Sequence, residues 1–172
     1  MELVVPSLKW EPEFAEFYED FACNDPVNAE YYLEGALRFS NYVTRLSEES
    51  QGINLRVGYV PCDHFWLVSA QKEIVGAVRV RHNIDNDCLS QEAGHIGYDI
   101  SPSFRGLGYG KLMLSLALPK AKALGISKAL ITADEDNMAS RKVIEANDGK
   151  LESIVFGKTF SRVLTRYWVD CK

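Results

Sequence analysis

Between Arg105 and Gly110 the chain reads RGLGYG, directly after a strand-like run from His95 to Ile100 and directly before an apolar-periodic segment from Lys111 to Leu124. That order of elements makes a seat for an anion. Glycines at alternate positions let the backbone come close to a bulky group, while the unpaired N–H groups and dipole of the helix's first turn favour negative charge there. The chemistry expected is the holding of a pyrophosphate, so a phosphate-bearing cofactor or cosubstrate is implied. The GK[ST] ending of a P-loop is missing. A dinucleotide-binding GxGxxG fits poorly, because Lys111 follows GLGYG where another packing glycine would be wanted and a single crossover stands among antiparallel strands. Asp134 nevertheless lies at a distance suited to a ribose, and an NAD(P)-binding oxidoreductase stays open as a reading.

Other reactive side chains form no recognisable constellation. Cys23, Cys62, Cys88 and Cys171 are scattered without CxxC spacing or a nearby paired histidine, which predicts neither a metal site nor a disulfide framework, but reduced thiols in a cytoplasmic protein. No Ser-His-Asp or Cys-His arrangement is evident. Any catalysis would therefore rest on placement and electrostatics rather than on a covalent intermediate.

The elements that must position the loop follow from periodicity. Residues 2 to 5 read as an edge strand ended by Pro6, Pro12 to Cys23 as a helix with Phe14, Phe17, Tyr18 and Phe21 on one stripe, and Glu34 to Glu49 as a second helix. From His64 the period changes: Phe65–Ala70 and Ile74–His82 predict a hairpin, Asn83 to Glu92 a loop and Ala93–Ile100 a further strand. Gly94 and Gly97 in that strand mark a bulge or a close backbone approach. The loop then opens a helix over 108–124, with Leu112, Leu116, Ala123 and Leu124 on its buried side and a kink at Pro119. Lys128–Ala133 is a buried-type strand, Asn137–Ala146 a short helix, and the last two strands, Lys150–Phe156 and Thr159–Val169, turn at Gly157 and Lys158. The order predicts one mixed sheet with helices on its faces, in which residues 93 to 133 make a parallel crossover and the glycine loop sits at the carboxyl end of its strand.

A chain of 172 residues with 47% apolar content suits a single domain over 1–172. Its net charge of −5 and pI near 5.3 argue against a nucleic-acid partner and mildly favour a cationic or amine-bearing one. The start, MELVVPSLKWEPEF, lacks the basic region of a signal peptide, and no stretch nears the roughly 18 apolar residues of a membrane span.

The run IGYDISPSFRGLGYGKLM, followed by a strand and DNMASRKVIEANDGKLES, closely resembles the GNAT superfamily of acyl-CoA N-acyltransferases. The likeness is strong from Glu92 to Ser153, and the N-terminal half matches in element order. GHIGY and the ending GKTFSRVLTRYWVD resemble a bacterial branch of predicted acetyltransferases. The resemblance implies an α/β (α+β) fold: a mixed, mostly antiparallel sheet of about seven strands flanked by about four helices. It also implies acetyl-CoA as acyl donor, no metal, and a primary amine of a small molecule or peptide as acceptor. A monomer or homodimer without nucleic-acid or membrane partners is expected. Carried over by position, Arg105, Gly108 and Gly110 match the anion-loop motif, so that the N–H groups of Gly106, Leu107, Gly108, Tyr109, Gly110 and Lys111 would hold the CoA pyrophosphate. Ile100 matches the strand residue whose N–H would bind the thioester carbonyl, and Asn137 and Ser140 match positions that contact the pantetheine arm.

For the proton steps, His95 is the preferred base, since histidine titrates near neutrality, with Glu92, Asp99 and His82 as lesser candidates. The superfamily's usual tyrosine acid falls here on Ile144. Tyr98 or Tyr109 would then protonate the thiolate, or it leaves unassisted, which a thiol's acidity tolerates. A noncatalytic acyl-CoA-binding regulator is the alternative that this departure keeps open.

Overall fold

The alternating runs become seven strands: β1 (Glu2–Val4), β2 (Cys62–Val68), β3 (Ile74–Arg81), β4 (Ile96–Ile100), β5 (Lys128–Asp134), β6 (Lys150–Gly157) and β7 (Arg162–Asp170). The computed structural model describes all 172 residues. Six helices accompany the strands: α1 (Glu11–Asn24), α2 (Pro26–Ala29), α3 (Leu33–Leu37), α4 (Phe39–Gln51), α5 (Tyr109–Ala123) and α6 (Met138–Glu145). All ladders are antiparallel. They run β1-β2-β3-β4 in one sheet and β5-β7-β6 in another, which is the mixed α/β architecture expected, with the seven strands shared between two sheets.

The crossover over residues 93 to 133 is present as strand, helix and strand, but β4 is not parallel-paired as expected. No ladder joins β4 to β5; they meet where the His95 N–H donates to the Leu130 carbonyl at 2.7 Å. The reason lies in a side chain. The N–H of Leu130, which a continuing ladder would give to a carbonyl, goes instead to Nδ1 of the His95 ring at 3.0 Å. Gly94 makes the approach possible, with φ of 65° and its Cα so near β5 that a Cβ would lie 2.4 Å from the Leu130 oxygen. Beyond that point the two strands are unpaired.

The four-stranded sheet has a different core on each face. Against α5 the packing is mostly aliphatic, with Leu67, Val75, Val80, Ile96, Met113 and Leu114 almost wholly buried. Against α1 to α4 it is aromatic: Phe14 lies within 5.2 to 5.3 Å, centroid to centroid, of Phe39, Tyr42 and Trp66. This aromatic packing explains why the helix expected over 34–49 is broken at Arg38. Gly35 lies under the Phe14 ring, which a Cβ would meet at 2.4 Å, and the turn at Arg38 brings Phe39 onto the same ring.

Three further expectations shift. α5 buries Gly110, Met113, Leu114, Ala117, Leu118 and Ala121, not the stripe containing Leu112, which is 37% exposed, because the helix is flanked by β3, β4 and α6 together. It runs on through Pro119, whose missing N–H lies opposite Ser115 on the exposed side. The final hairpin turns over residues 158 to 161, pairing Gly157 with Arg162, since the Glu92 carboxylate gathers the N–H groups of Thr159 and Phe160 at 2.9 to 3.0 Å.

Candidate active site

Gly106 and Gly108 adopt φ of 77° and 84°, so the chain coils before α5 begins at Tyr109. The N–H groups of residues 106 to 111 have no acceptor in the protein. A Cβ on Gly106 or Gly108 would meet nothing within 4 Å, so these two serve the backbone conformation and leave open room above it. Gly110 differs: a Cβ there would come 3.0 Å from Val143, and its role is to let α5 pack on α6. Leu107 and Lys111 are exposed, and Tyr109 packs on Phe104.

The loop is tied to α1. Arg105 gives Nε to the Ile100 carbonyl at 3.0 Å and Nη2 to Asp25 at 2.6 Å, and its guanidinium lies over the Phe21 ring. Asp20 accepts the Ser101 hydroxyl, the Ser103 N–H at 2.9 Å and the Ser103 hydroxyl at 2.7 Å. Burial opposes ionisation of Asp20, but those donors hold its carboxyl below the usual range.

Register decides where the strand amides point. Arg81 N–H donates to His95 O and Ser101 N–H to Val75 O, so odd-numbered residues of β4 face β3. The alternation of an antiparallel ladder then turns the N–H groups of Tyr98 and Ile100 towards β5, into the unpaired gap. By the same counting, Glu135 N–H to Val163 O and Cys171 N–H to Ser127 O leave Thr132 and Asp134 facing the gap from β5. The gap opens at the carboxyl end of β4, where the glycine loop lies.

At this end the residues expected to act on a cosubstrate come together. Tyr98 Oη reaches Ser140 Oγ at 2.9 Å and its carbonyl at 3.2 Å, and Asn137 Oδ1 caps α6 by accepting the Ser140 N–H at 3.0 Å. Burial pushes the Tyr98 phenol up to about 12. Ile144, at the usual acid position, is wholly buried.

His95 stands apart from them. It is 8% exposed, and burial, reinforced by Arg81, lowers its pKa. Its Nδ1 already accepts the Leu130 N–H. A neutral imidazole has one acceptor nitrogen, so the ring has no lone pair left for an ammonium. The other base candidates are also engaged: Glu92 with Thr159 and Phe160, Asp99 with the Tyr32 hydroxyl at 2.8 Å and Arg79 at 2.7 Å, and His82 with Asp63 at 3.0 Å.

On the aromatic face of the same sheet lies a pocket of about 560 Å³, walled by α4, the loops over 52–61 and 83–92 and the β6–β7 turn. Its floor is β2 and β3, with His64, Arg79 and Arg81 side by side. His64 gives Nε2 to Glu49 at 2.7 Å, and Arg45 holds the other oxygen of that carboxylate. Burial lowers the His64 pKa more than Glu49 raises it, so the ring is neutral near pH 7 and Nδ1 is its acceptor nitrogen. Sequence reasoning passed over these three floor residues. The signal was there in VRVR at residues 78 to 81, where strand alternation sends both arginines to one face.

A family model described as the acetyltransferase (GNAT) family matches residues 15–149. No curated protein sequence matches the chain. Among solved structures, the fold is similar to the microcin C7 self-immunity acetyltransferase MccE in complex with acetyl-CoA and AMP, at 15% identity and a TM-score of 0.68 over 98% of this chain and 91% of that one. It is likewise similar to the ribosomal-protein-S5-alanine acetyltransferase of Vibrio fischeri, at 15% identity and 0.69 over 99% and 92%. A variant of the spermidine N-acetyltransferase SpeG of Vibrio cholerae matches at 16% identity and 0.54 over 76% and 74%.

Proposed function

Since this chain belongs to the GNAT acetyltransferase family, we propose that it moves an acetyl group from acetyl-CoA to a primary amine of a small molecule or peptide, by direct attack in a ternary complex within one domain over 1–172. The observation that carries this reading is two sets of unanswered main-chain donors at one end of β4: the N–H groups of residues 106 to 111, and those of Ile100 and Tyr98 that face the gap. The former would hold the pyrophosphate of CoA, with Arg105 fixing the loop, and Asn137 and Ser140 would flank the pantetheine arm. Solved neighbours that hold acetyl-CoA or coenzyme A support the choice of donor.

The chemistry follows from that placement. Amine attack builds negative charge on the thioester oxygen, and a fixed N–H in the gap, at Ile100 or at Tyr98, stabilises that charge more in the transition state than in the ground state. The amine enters from the pocket on the other face of β4. Its ammonium form must first lose a proton, and His64 is the neutral imidazole lining that pocket, so the proton reaches its Nδ1 through pocket water. The C–S bond breaks as the tetrahedral adduct collapses, the nitrogen gives up its extra proton to solvent, and the thiolate leaves with a proton from solvent or from Tyr98.

Calorimetric titration with CoA, followed by thiol-release assays over a panel of amines and peptides, tests the reading. Submicromolar to micromolar CoA binding and transfer to at least one amine are expected. CoA binding without transfer to any amine would favour a binding protein that does not turn over, and failure to bind CoA would end the proposal.

A further inference from the structure

Four arginines line the pocket, and three of them face carboxylates of this chain. Arg45 pairs with Glu34 and Glu49, Arg56 with Glu34, and Arg79 with Asp99. Arg81 has none. Its Nη1 donates to the main-chain carbonyls of Ala93 and Gly94 at 3.3 and 3.0 Å, and no carboxylate lies within ion-pair distance. Among the acidic groups in the vicinity, Asp63 is committed to His82 and Glu92 to the β6–β7 turn, while Glu30 on the pocket wall and Asp85 in the 83–92 loop are exposed and make no ion pair with Arg81. Cys62 sits directly opposite Arg81 in the ladder, but burial pushes its thiol up to about 12, so it supplies no negative charge.

Arg79 adds to the imbalance. It lies two residues away on the same face of β3, and both guanidinium groups hang over Gly97 of β4. From the place where a Gly97 Cβ would stand, Arg79 Nε is 3.5 Å away and Arg81 Nη1 is 3.8 Å. Two like charges thus share a largely buried floor with a single carboxylate, Asp99. Burying an unanswered guanidinium is unfavourable, and the fork geometry of arginine suits a planar carboxylate. Gly97 adjoins Tyr98, whose N–H enters the gap on the other side of the strand.

We propose that the acceptor is an amine that also carries a carboxylate, held by Arg81 beside Arg79 on the pocket floor so that its amino group is turned across Gly97 towards the thioester. The inference rests on the acetyl-transfer reading above. It also narrows it, since a peptide whose amine has no nearby carboxylate would not answer Arg81. The acidic residues of the chain, which favoured a cationic acceptor, leave this floor positive because Glu34, Glu49 and Asp99 are already paired.

The test compares the common amino acids, and short amino acids with a more distant amine, with their amides. Each pair is measured by thiol release and by thermal shift of the CoA-loaded protein. Acids are expected to exceed amides by about ten- to a hundredfold in kcat/KM, mainly through KM, with a matching preference in thermal shift. The amide's less basic amine would favour the amide instead, so the preference cannot come from intrinsic reactivity. Arg81→Gln should bring the acid down to the level of its amide, and Arg81→Lys should restore part of the difference; melting temperature and CoA affinity of each variant show that the fold and the loop are intact. Amides that bind or react as well as acids, or a preference that survives Arg81→Gln in a folded protein, would overturn the proposal. CoA affinity is measured separately, so loss of that affinity would point to failure of the transfer reading rather than of this one.

Discussion

The loop before α5 and the floor of the pocket are both arranged for negative charge, yet they are made of different material. The loop offers main-chain N–H groups shaped by glycine φ angles, with no charged side chain required. The floor offers guanidinium groups whose placement depends on which residues β2, β3 and β4 bring opposite one another. Backbone recognition of this kind suits a part common to many molecules, such as a pyrophosphate. Side-chain recognition suits the part that differs.

If the two regions are independent, damage to the scaffold behind the pocket should not reach the loop chemistry except through stability. Phe14 is the centre of the aromatic packing on that side, 1% exposed and against four other rings at 5.8 Å or less. Phe14→Ala should cost about 3–5 kcal/mol in chemical denaturation. CoA affinity of the fraction still folded should be unchanged; a parallel loss would show that the helices over the pocket and the loop act as one unit through Asp20 and Arg105.

Gly108→Val probes the other member of the comparison. The left-handed conformation should cost about 1–2 kcal/mol of stability, and the added Cβ itself meets no neighbour within 4 Å. CoA affinity should fall by roughly a hundredfold or more in calorimetry, the scale of about 3 kcal/mol in lost main-chain hydrogen bonds. Unchanged affinity would remove the loop from the binding site.

Acidification should separate the regions differently, since the loop has no titratable donor. His64 and His95 both have pKa values lowered by burial, from an ordinary value near 6.5. The folded protein therefore binds fewer protons than the unfolded chain below about pH 6.5, and stability present above that pH declines as pH falls through the lowered folded values. Turnover should decline over the same window while CoA affinity stays flat, and His64→Gln should flatten that limb of the rate profile. The smallest effect is expected at Tyr98→Phe, which removes the hydroxyl's contacts with Ser140 Oγ and its carbonyl: a few-fold in kcat, or about 1 kcal/mol, if thiolate departs largely unassisted.

The same contrast explains what was legible in the chain. Glycines before an apolar helix signal their conformation locally, so the loop, the start of α5 and the Asn137 cap of α6 were readable from short stretches. The order of strands was readable for the same reason. What could not be read was set by contacts between distant residues. The Leu130 N–H that occupies His95, 35 positions away, ended the expected parallel pairing and removed the expected base. The Glu92 carboxylate, 67 positions before Thr159, lengthened the last hairpin turn. Arg79 and Arg81 were visible as alternating charges, but their significance depended on which of them finds a carboxylate, and only the folded chain decides that.

The imidazole of His95, by standing where a rung of the sheet would be, gives the molecule a seam that is stitched at one end. An extended guest threaded along Tyr98 and Ile100 would be paired as an interloping eighth strand, and slowed amide exchange at those two positions would report its arrival. Loss of the imidazole would let the seam zip further and crowd the guest out, so a histidine that touches no reactant would set how wide the door stands.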